Sequence, residues 1–326
     1  MKRTRLFLRL VLAQESALLG GQAVLEGVMM RSPKAFAVAV RRPDGTLAML
    51  GEKVLMWTQI YRALKLPVLR GAAVLIQSLG LGIRALNFSA ENAFPEDAAP
   101  SKPKGQTAGS NPQPGIDWGI WGSLALALLM GIGLFFLLPL GLTQGIHYLA
   151  PQLGNGVMFN LVEGLIRVVI FLLYISSISL IPDIKRLFRY HGAEHKVVHA
   201  FEAKGGMDVG TVQRFSTFHP RCGTSFLLVV MLVSVAVFSL IPGAWPFWAK
   251  AVARLVLVPV IAGLSYEVIR LTARKIDSGL AKAIAAPGLW LQRVTTGPPD
   301  DPMVEVALAA FHRAVEIEGD PAEVVL

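Results

Sequence analysis

Cysteine occurs once in this sequence, and charged side chains are scarce. The single cysteine, Cys222, excludes an intrachain disulfide framework. Only 16% of the 326 residues are charged, whereas 53% are hydrophobic. With a mean hydropathy of +0.54, that balance fits a membrane protein better than a soluble core. Acidic residues are the scarcer sign, 22 against 31 Lys and Arg, for a net charge of +9. Excess base often marks nucleic-acid binding. Here the basic residues fall mainly outside the apolar runs, so they are read as topology signals and contacts to anionic lipid, with no nucleic-acid partner.

What is present is a series of long apolar runs. Four spanning candidates lie near 119–141, 158–181, 223–241 and 251–269, each about the 20 residues that a crossing needs. The 142–157 connection has no Lys or Arg, 182–222 has seven, and 242–250 has one, Lys250. Fifteen precede the first span and six follow from Arg270 onward. The positive-inside rule then puts both termini and the 182–222 loop in the cytoplasm. In the second span Glu163 and Arg167 stand four apart and share a helix face.

The remaining segments divide by composition. Residues 1–19 are basic and partly amphipathic. They resemble a signal peptide, but Arg9 interrupts the apolar part, so the segment is expected to stay on the chain at the membrane surface. Residues 20–54 read as a small β unit, with Pro43-Asp44-Gly45 turning between strands at 36–40 and 46–50. Gly20-Gly21-Gln22 reads as a flexible turn before a strand. Residues 55–92 are helical. The thirteen apolar residues between Arg70 and Arg84 are too few to span, so 68–86 is expected to be interfacial or re-entrant. Residues 93–117 form a Pro-, Gly- and Ser-rich linker. Spans fill 118–181 and 223–269, separated by the 182–222 loop. The tail, 270–326, ends in a helix near 302–317 with Asp301 as its cap. The fold class is therefore mainly α: a four-span helical membrane protein with an N-terminal β unit and a His-rich cytoplasmic loop.

The chemistry concentrates in that loop. Four of six histidines (His191, His195, His199, His219) and Cys222 lie between 190 and 226. A helix from His191 to Ala203, ended by Gly205-Gly206, puts His191 and His195 one turn apart on one face. With Glu194 they form H-x-x-E-H, the order in which two histidines bind zinc and the glutamate activates water. Glu267 is the expected third ligand, with His219, Cys222 and Glu26 as rivals. Cys222, at the start of the third span beside Arg221, is also placed for thiolate chemistry. Glu26, Arg31 and Arg221 are the candidate substrate contacts, Gly27 allowing close approach. The plainer alternatives are a wetted histidine face at the lipid boundary, a hydrogen-bonded structural cluster, and a small buried cysteine at a helix entry.

Four stretches together resemble the YqhQ family of bacterial membrane proteins: GGQAVLEGVMMRSP at 20–33, YHGAEHK at 190–196, HPRCGTS at 219–225 and SYE at 265–267. The resemblance runs from about residue 20 to 310. It implies a multi-pass protein of the bacterial cytoplasmic membrane, from a family of unknown function sometimes labelled metal-dependent. The leading expectation is a Zn²⁺-dependent hydrolase at the cytoplasmic face, acting on a membrane-protein or peptide substrate. The alternative is a non-catalytic factor that helps insert or assemble membrane-protein clients. A transporter fits less well, since membrane-depth charges are few and no repeat is visible.

Overall fold

The computed structural model describes residues 20–94, 118–150, 156–220, 222–274 and 278–318. The basic segment 1–19, the linker from residue 95 onward, and Arg221 lie outside the described residues. Helices make up most of the described chain, and a four-stranded antiparallel sheet stands at its N-terminal end.

The sheet is a meander of β1 (Gly20–Val24), β2 (Gly27–Arg31), β3 (Ala35–Arg41) and β4 (Leu47–Lys53), paired in that order. The Gly20-Gly21-Gln22 tripeptide is thus strand β1, not a turn, with Gly21 opposite Met30. The turn lies one step later, at Leu25-Glu26, where Glu26 takes a φ of 51°. Gly27 does allow a close approach, but to strand β3: a Cβ there would meet Ala39 O at 2.3 Å. Between β3 and β4 the Pro43-Asp44-Gly45 turn forms as its residues require. Gly45 has φ 85°, and the Asp44 carboxylate accepts from Thr46 N at 2.9 Å.

Alternation along the strands gives the sheet two apolar faces. Val24, Met29, Phe36, Val38 and Val40 pack under Leu81 and Ala85 of α1 (Leu69–Asn92). Val28, Met30, Ala37 and Ala39 pack against α5 (Pro182–Glu202) and α10 (Asp301–Glu318). The histidine helix is therefore built onto the sheet. The tail helix that completes this layer is capped by Asp300, whose carboxylate accepts from Met303 N at 3.2 Å. Asp301 instead accepts from Gln213 Nε2 at 3.0 Å.

Helix α1 is longer than its uncharged run because Arg70 does not end it. That guanidinium is neutralised by Glu267 of α8 (Val258–Arg274). The two helices touch through glycine: a Cβ on Gly71 would come within 2.8 Å of Gly263 Cα. Among the described residues, three helices are long and apolar enough to cross a membrane: Leu69–Asn92, Ala125–Leu149 and Val157–Ile178. The pair α7 (Phe247–Val256) and α8, bent by 47° at the break, makes a fourth if counted as one span. The bend falls where Pro259 can supply no N–H to the helix before it. Helix α6 (Gly223–Phe238) has 16 residues, fewer than its apolar run, because the chain turns at Ser239 ahead of Pro242.

The first long helix comprises α2 (Trp118–Ile132), a wider π turn (Gly133–Leu137) and α3 (Leu138–Leu149). The π turn absorbs Pro139, which cannot donate to Phe135 O. That carbonyl accepts from Arg167 Nε of α4 (Val157–Ile178) at 2.9 Å instead. Arg167 also pairs with Glu163, as the sequence spacing implies. Long-range packing adds a second arginine: Arg254 Nη2 of α7 donates to the other Glu163 oxygen at 2.8 Å and to Asn160 Oδ1 at 2.9 Å. Glu163 and Arg254 are both wholly buried. One carboxylate thus holds an arginine of its own helix and fastens α4 to α7 through Arg254. Replacing Glu163 by Gln leaves both cations without it and is expected to destabilise the protein by about 3–5 kcal/mol. Denaturant unfolding in detergent measures this, and an unchanged midpoint would contradict it.

Candidate metal centre

Helix α5 begins with Pro182 in its first turn and runs 21 residues. It ends in a Schellman turn: Gly205 N donates to Ala200 O at 2.8 Å and Lys204 N to Phe201 O at 3.0 Å. The left-handed residue is Lys204, φ 53°, rather than either glycine expected there. Tyr190, Ala193, Val197 and Ala200 fill the core below the sheet. With that face committed, His191, His195 and His199 are turned together toward the segment 217–222 and the end of α9 (Gly279–Thr295).

Two backbone carbonyls fix the histidines. His191 Nδ1 lies 2.8 Å from Thr295 O, and His195 Nδ1 lies 2.5 Å from Thr217 O. A carbonyl only accepts, so each Nδ1 must carry the proton and each Nε2 presents a lone pair. Those Nε2 atoms converge on Cys222: His191 Nε2 is 3.2 Å from Sγ. One ligand atom each from His191, His195 and Cys222 lies within 4.8 Å of the others. Cys222 is the N-cap of α6, and its Sγ accepts from Thr224 N at 3.3 Å. The two rings are 4.4 Å apart, and His219 and His199 extend the row.

Tight backbone contacts make this possible. A Cβ on Gly192 would sit 2.0 Å from Gly297 O, so only glycine lets the segment after α9 cross α5 beside His191. The buried Gln292 side chain clasps the backbone of His219, accepting from its N and donating to its O, both at 2.8 Å. Lys196 Nζ donates to Gln213 O and Phe215 O at 2.6 and 2.7 Å, tying down the segment that leads to Thr217.

Glu194 is buried, and its Oε2 lies 3.6 Å from His195 Nε2. Burial pushes its pKa above the carboxylate range, partly opposed by the neighbouring histidines and the Gly21 amide. A Cβ on Gly21 would meet Met29 O at 2.3 Å and Glu194 Cγ at 2.9 Å, so β1 packs against this carboxylate through glycine. Burial moves His195 the other way, below its usual value. Glu194, His195, His219 and Cys222 line a cavity of about 670 Å³, with Arg31 and Tyr266 among its other walls.

The other expected residues divide. Arg31 reaches the cavity, donating to Ser78 Oγ at 2.7 Å and contacting Met56 Sδ, and desolvation lowers its pKa. His219 is adjacent to the three-ligand group and paired with Glu202 at 3.3 Å. Glu267, the expected third ligand, is instead held by Arg70 through both oxygens, at 2.7 and 2.6 Å. Glu26 is paired with Arg186 and accepts from Tyr190 Oη at 3.1 Å. Both carboxylates went to the arginine that tertiary packing set opposite them. Arg221 lies outside the described residues. Thr295, Thr217, Gln292 and Gly21 give no motif signal, apart from the glycine pair at Gly20-Gly21.

A mainly helical chain with apolar helices long enough to cross a membrane and a His-His-Cys group, His195 and Cys222 buried and His191 partly so, defines the class. Residues 66–317 match the family described as "Protein of unknown function (DUF1385)". The uncharacterized protein YqhQ of Bacillus subtilis (strain 168) is 35% identical over 303 residues, which cover 92% of each chain. The chain belongs to this family. No solved structure matches it.

The pKa directions give a test on chelated protein. Glu194, raised by burial, stabilises the fold while protonated; that contribution is present below its ordinary 4.5 and lost as pH rises through the higher folded value. His195, lowered by burial, contributes above its ordinary 6.5, and the contribution is lost as pH falls through the lower folded value. Glu194→Gln, which imitates the protonated acid, should abolish the loss on the alkaline side in melting curves. An unaltered pH profile would contradict the assignment.

Proposed function

We propose that this protein is a metal-dependent hydrolase of the bacterial cytoplasmic membrane. Its centre is His191, His195 and Cys222 at the cytoplasmic face. The reading rests on one observation above all: two Nε2 atoms and a thiol converge, with both Nδ1 atoms held by carbonyls. Zinc–nitrogen bonds of about 2.0–2.1 Å and a zinc–sulfur bond of about 2.3 Å put tetrahedral ligands roughly 3.5 Å apart. The 3.2 Å between His191 Nε2 and Sγ is close to that span. Carbonyl partners on ligand histidines are the usual second support of such sites.

Three protein ligands leave a fourth position, as in catalytic zinc sites. A zinc ion there would lower the pKa of a bound water to about 7. Glu194, beside His195, would take up the proton of the attacking water and return it to the leaving group. Arg31, on the same cavity, would orient the substrate. The substrate reaches a site beside the bilayer, which suits a membrane protein or peptide.

The charge pattern of the connections supports four spans with both termini inside. Helix α1 would then lie along the inner surface rather than cross. Its buried face covers the sheet, and Arg84 near its end pairs with Glu52 at the sheet edge. Crossing would draw those charges into lipid, at a cost of about 2.5–3.5 kcal/mol for a central arginine.

Elemental analysis of the purified protein should find about one zinc per chain. His191→Ala and Cys222→Ala should each lower it roughly tenfold or more, whereas Glu194→Gln should keep the metal. Zinc-loaded protein should cleave members of a peptide and ester panel presented in micelles, and Glu194→Gln should lose at least about a hundredfold in rate. Metal-free protein, or full function of Glu194→Gln in cells lacking the native copy, would refute the hydrolase. The second result would favour the non-catalytic assembly factor.

A further inference from the structure

A second cavity, of about 500 Å³, lies among α3, α4, α7 and the turn before α7. Its walls include Gln144, His147, Tyr148, Phe159, Trp245 and Lys250. It shares no residue with the His-His-Cys centre.

Charge does not balance around it. Lys250 is only 5% exposed, and its Nζ sits 4.3 Å from the centre of the Phe159 ring. Among the described residues it has no hydrogen-bond or ion-pair partner for that ammonium group. Its charged neighbours are Arg254 and Glu163. Glu163 is already shared by Arg167 and Arg254. Three cations thus share one carboxylate, and Lys250 is on the cavity wall. Buried cations are retained only when something compensates them. A second buried polar group on this cavity also lacks a partner: His147 Nδ1 makes no hydrogen bond.

We infer that this cavity binds a phosphate-bearing anion, with Lys250 as its principal charge and Gln144, His147 and Tyr148 as hydrogen-bond donors. The Lys250 ammonium on the cavity wall suits an oxyanion, and a row of donors suits its several acceptor oxygens. Trp245 and Trp248, 45% and 71% exposed, stand beside the cavity as residues of a membrane–water interface do. A phospholipid headgroup and free phosphate share this chemistry.

The test uses the full chain in uncharged detergent, with melting temperature and native mass spectrometry as readouts. Phosphatidylglycerol, phosphatidylcholine of the same acyl chains, and inorganic phosphate are added separately. Phosphatidylglycerol should raise the melting temperature about 2–4 °C beyond phosphatidylcholine and remain bound in the spectrometer. A shift with phosphate as well identifies a free-anion site, and a shift with phosphatidylglycerol alone identifies a headgroup site; both support the inference. Lys250→Met should remove the difference and Lys250→Arg should keep it. If Lys250→Met does not fold, Gln144→Leu should weaken the effect and the wild-type comparison still decides. Equal responses of wild type to all three additives, or an undiminished response in Lys250→Met, would overturn the inference.

Discussion

Two carbonyl oxygens, Thr295 O and Thr217 O, determine what the candidate centre can do. Each occupies the Nδ1 side of a histidine and so leaves Nε2 as a lone pair turned inward. Without them the rings would be free to rotate or to present an N–H, and convergence on Cys222 would carry no chemical meaning. The carbonyls come from unrelated parts of the chain, the end of α9 and the segment before α6. The centre therefore depends on whatever holds those parts against α5: the Gly192–Gly297 crossing, the Gln292 clasp on His219, and the Lys196 anchor.

The sheet contributes rigidity and one further contact. It is covered on both faces, by α1 above and by α5 and α10 below, so α5 rests on a packed layer. Strand β1 meets Glu194 through Gly21, where any side chain would collide with Met29 O. Burial raises the pKa of that carboxylate, and the Gly21 amide works against the rise.

Local signals were legible in the sequence. Apolar runs, the Pro43-Asp44-Gly45 turn, the tail helix and the one-turn spacing of His191 and His195 all follow from neighbours a few residues apart. Partnerships across the chain were not. Glu267 reads as a ligand because it follows a span toward the loop, yet Arg70, nearly 200 positions away, holds it. Glu26 goes to Arg186 for the same reason. Cys222 was one rival among several, and only the folded course of α6 brings it to the histidines. The GGQ tripeptide hides a strand because glycine has weak strand propensity, and its role is a close contact that no local pattern records. Breaks inside apolar runs, at Ser239 and ahead of Pro259, depend on which backbone groups lose a donor, as at Phe135 O.

The central claim is that two imidazoles and one thiolate share a single ion. Titrating the metal-stripped protein with cobalt(II) while recording its absorption tests this most directly, because a thiolate bound to cobalt gives a near-ultraviolet charge-transfer band. That band should saturate at about one equivalent per chain and vanish in Cys222→Ser. No band, or one undiminished in Cys222→Ser, would contradict it.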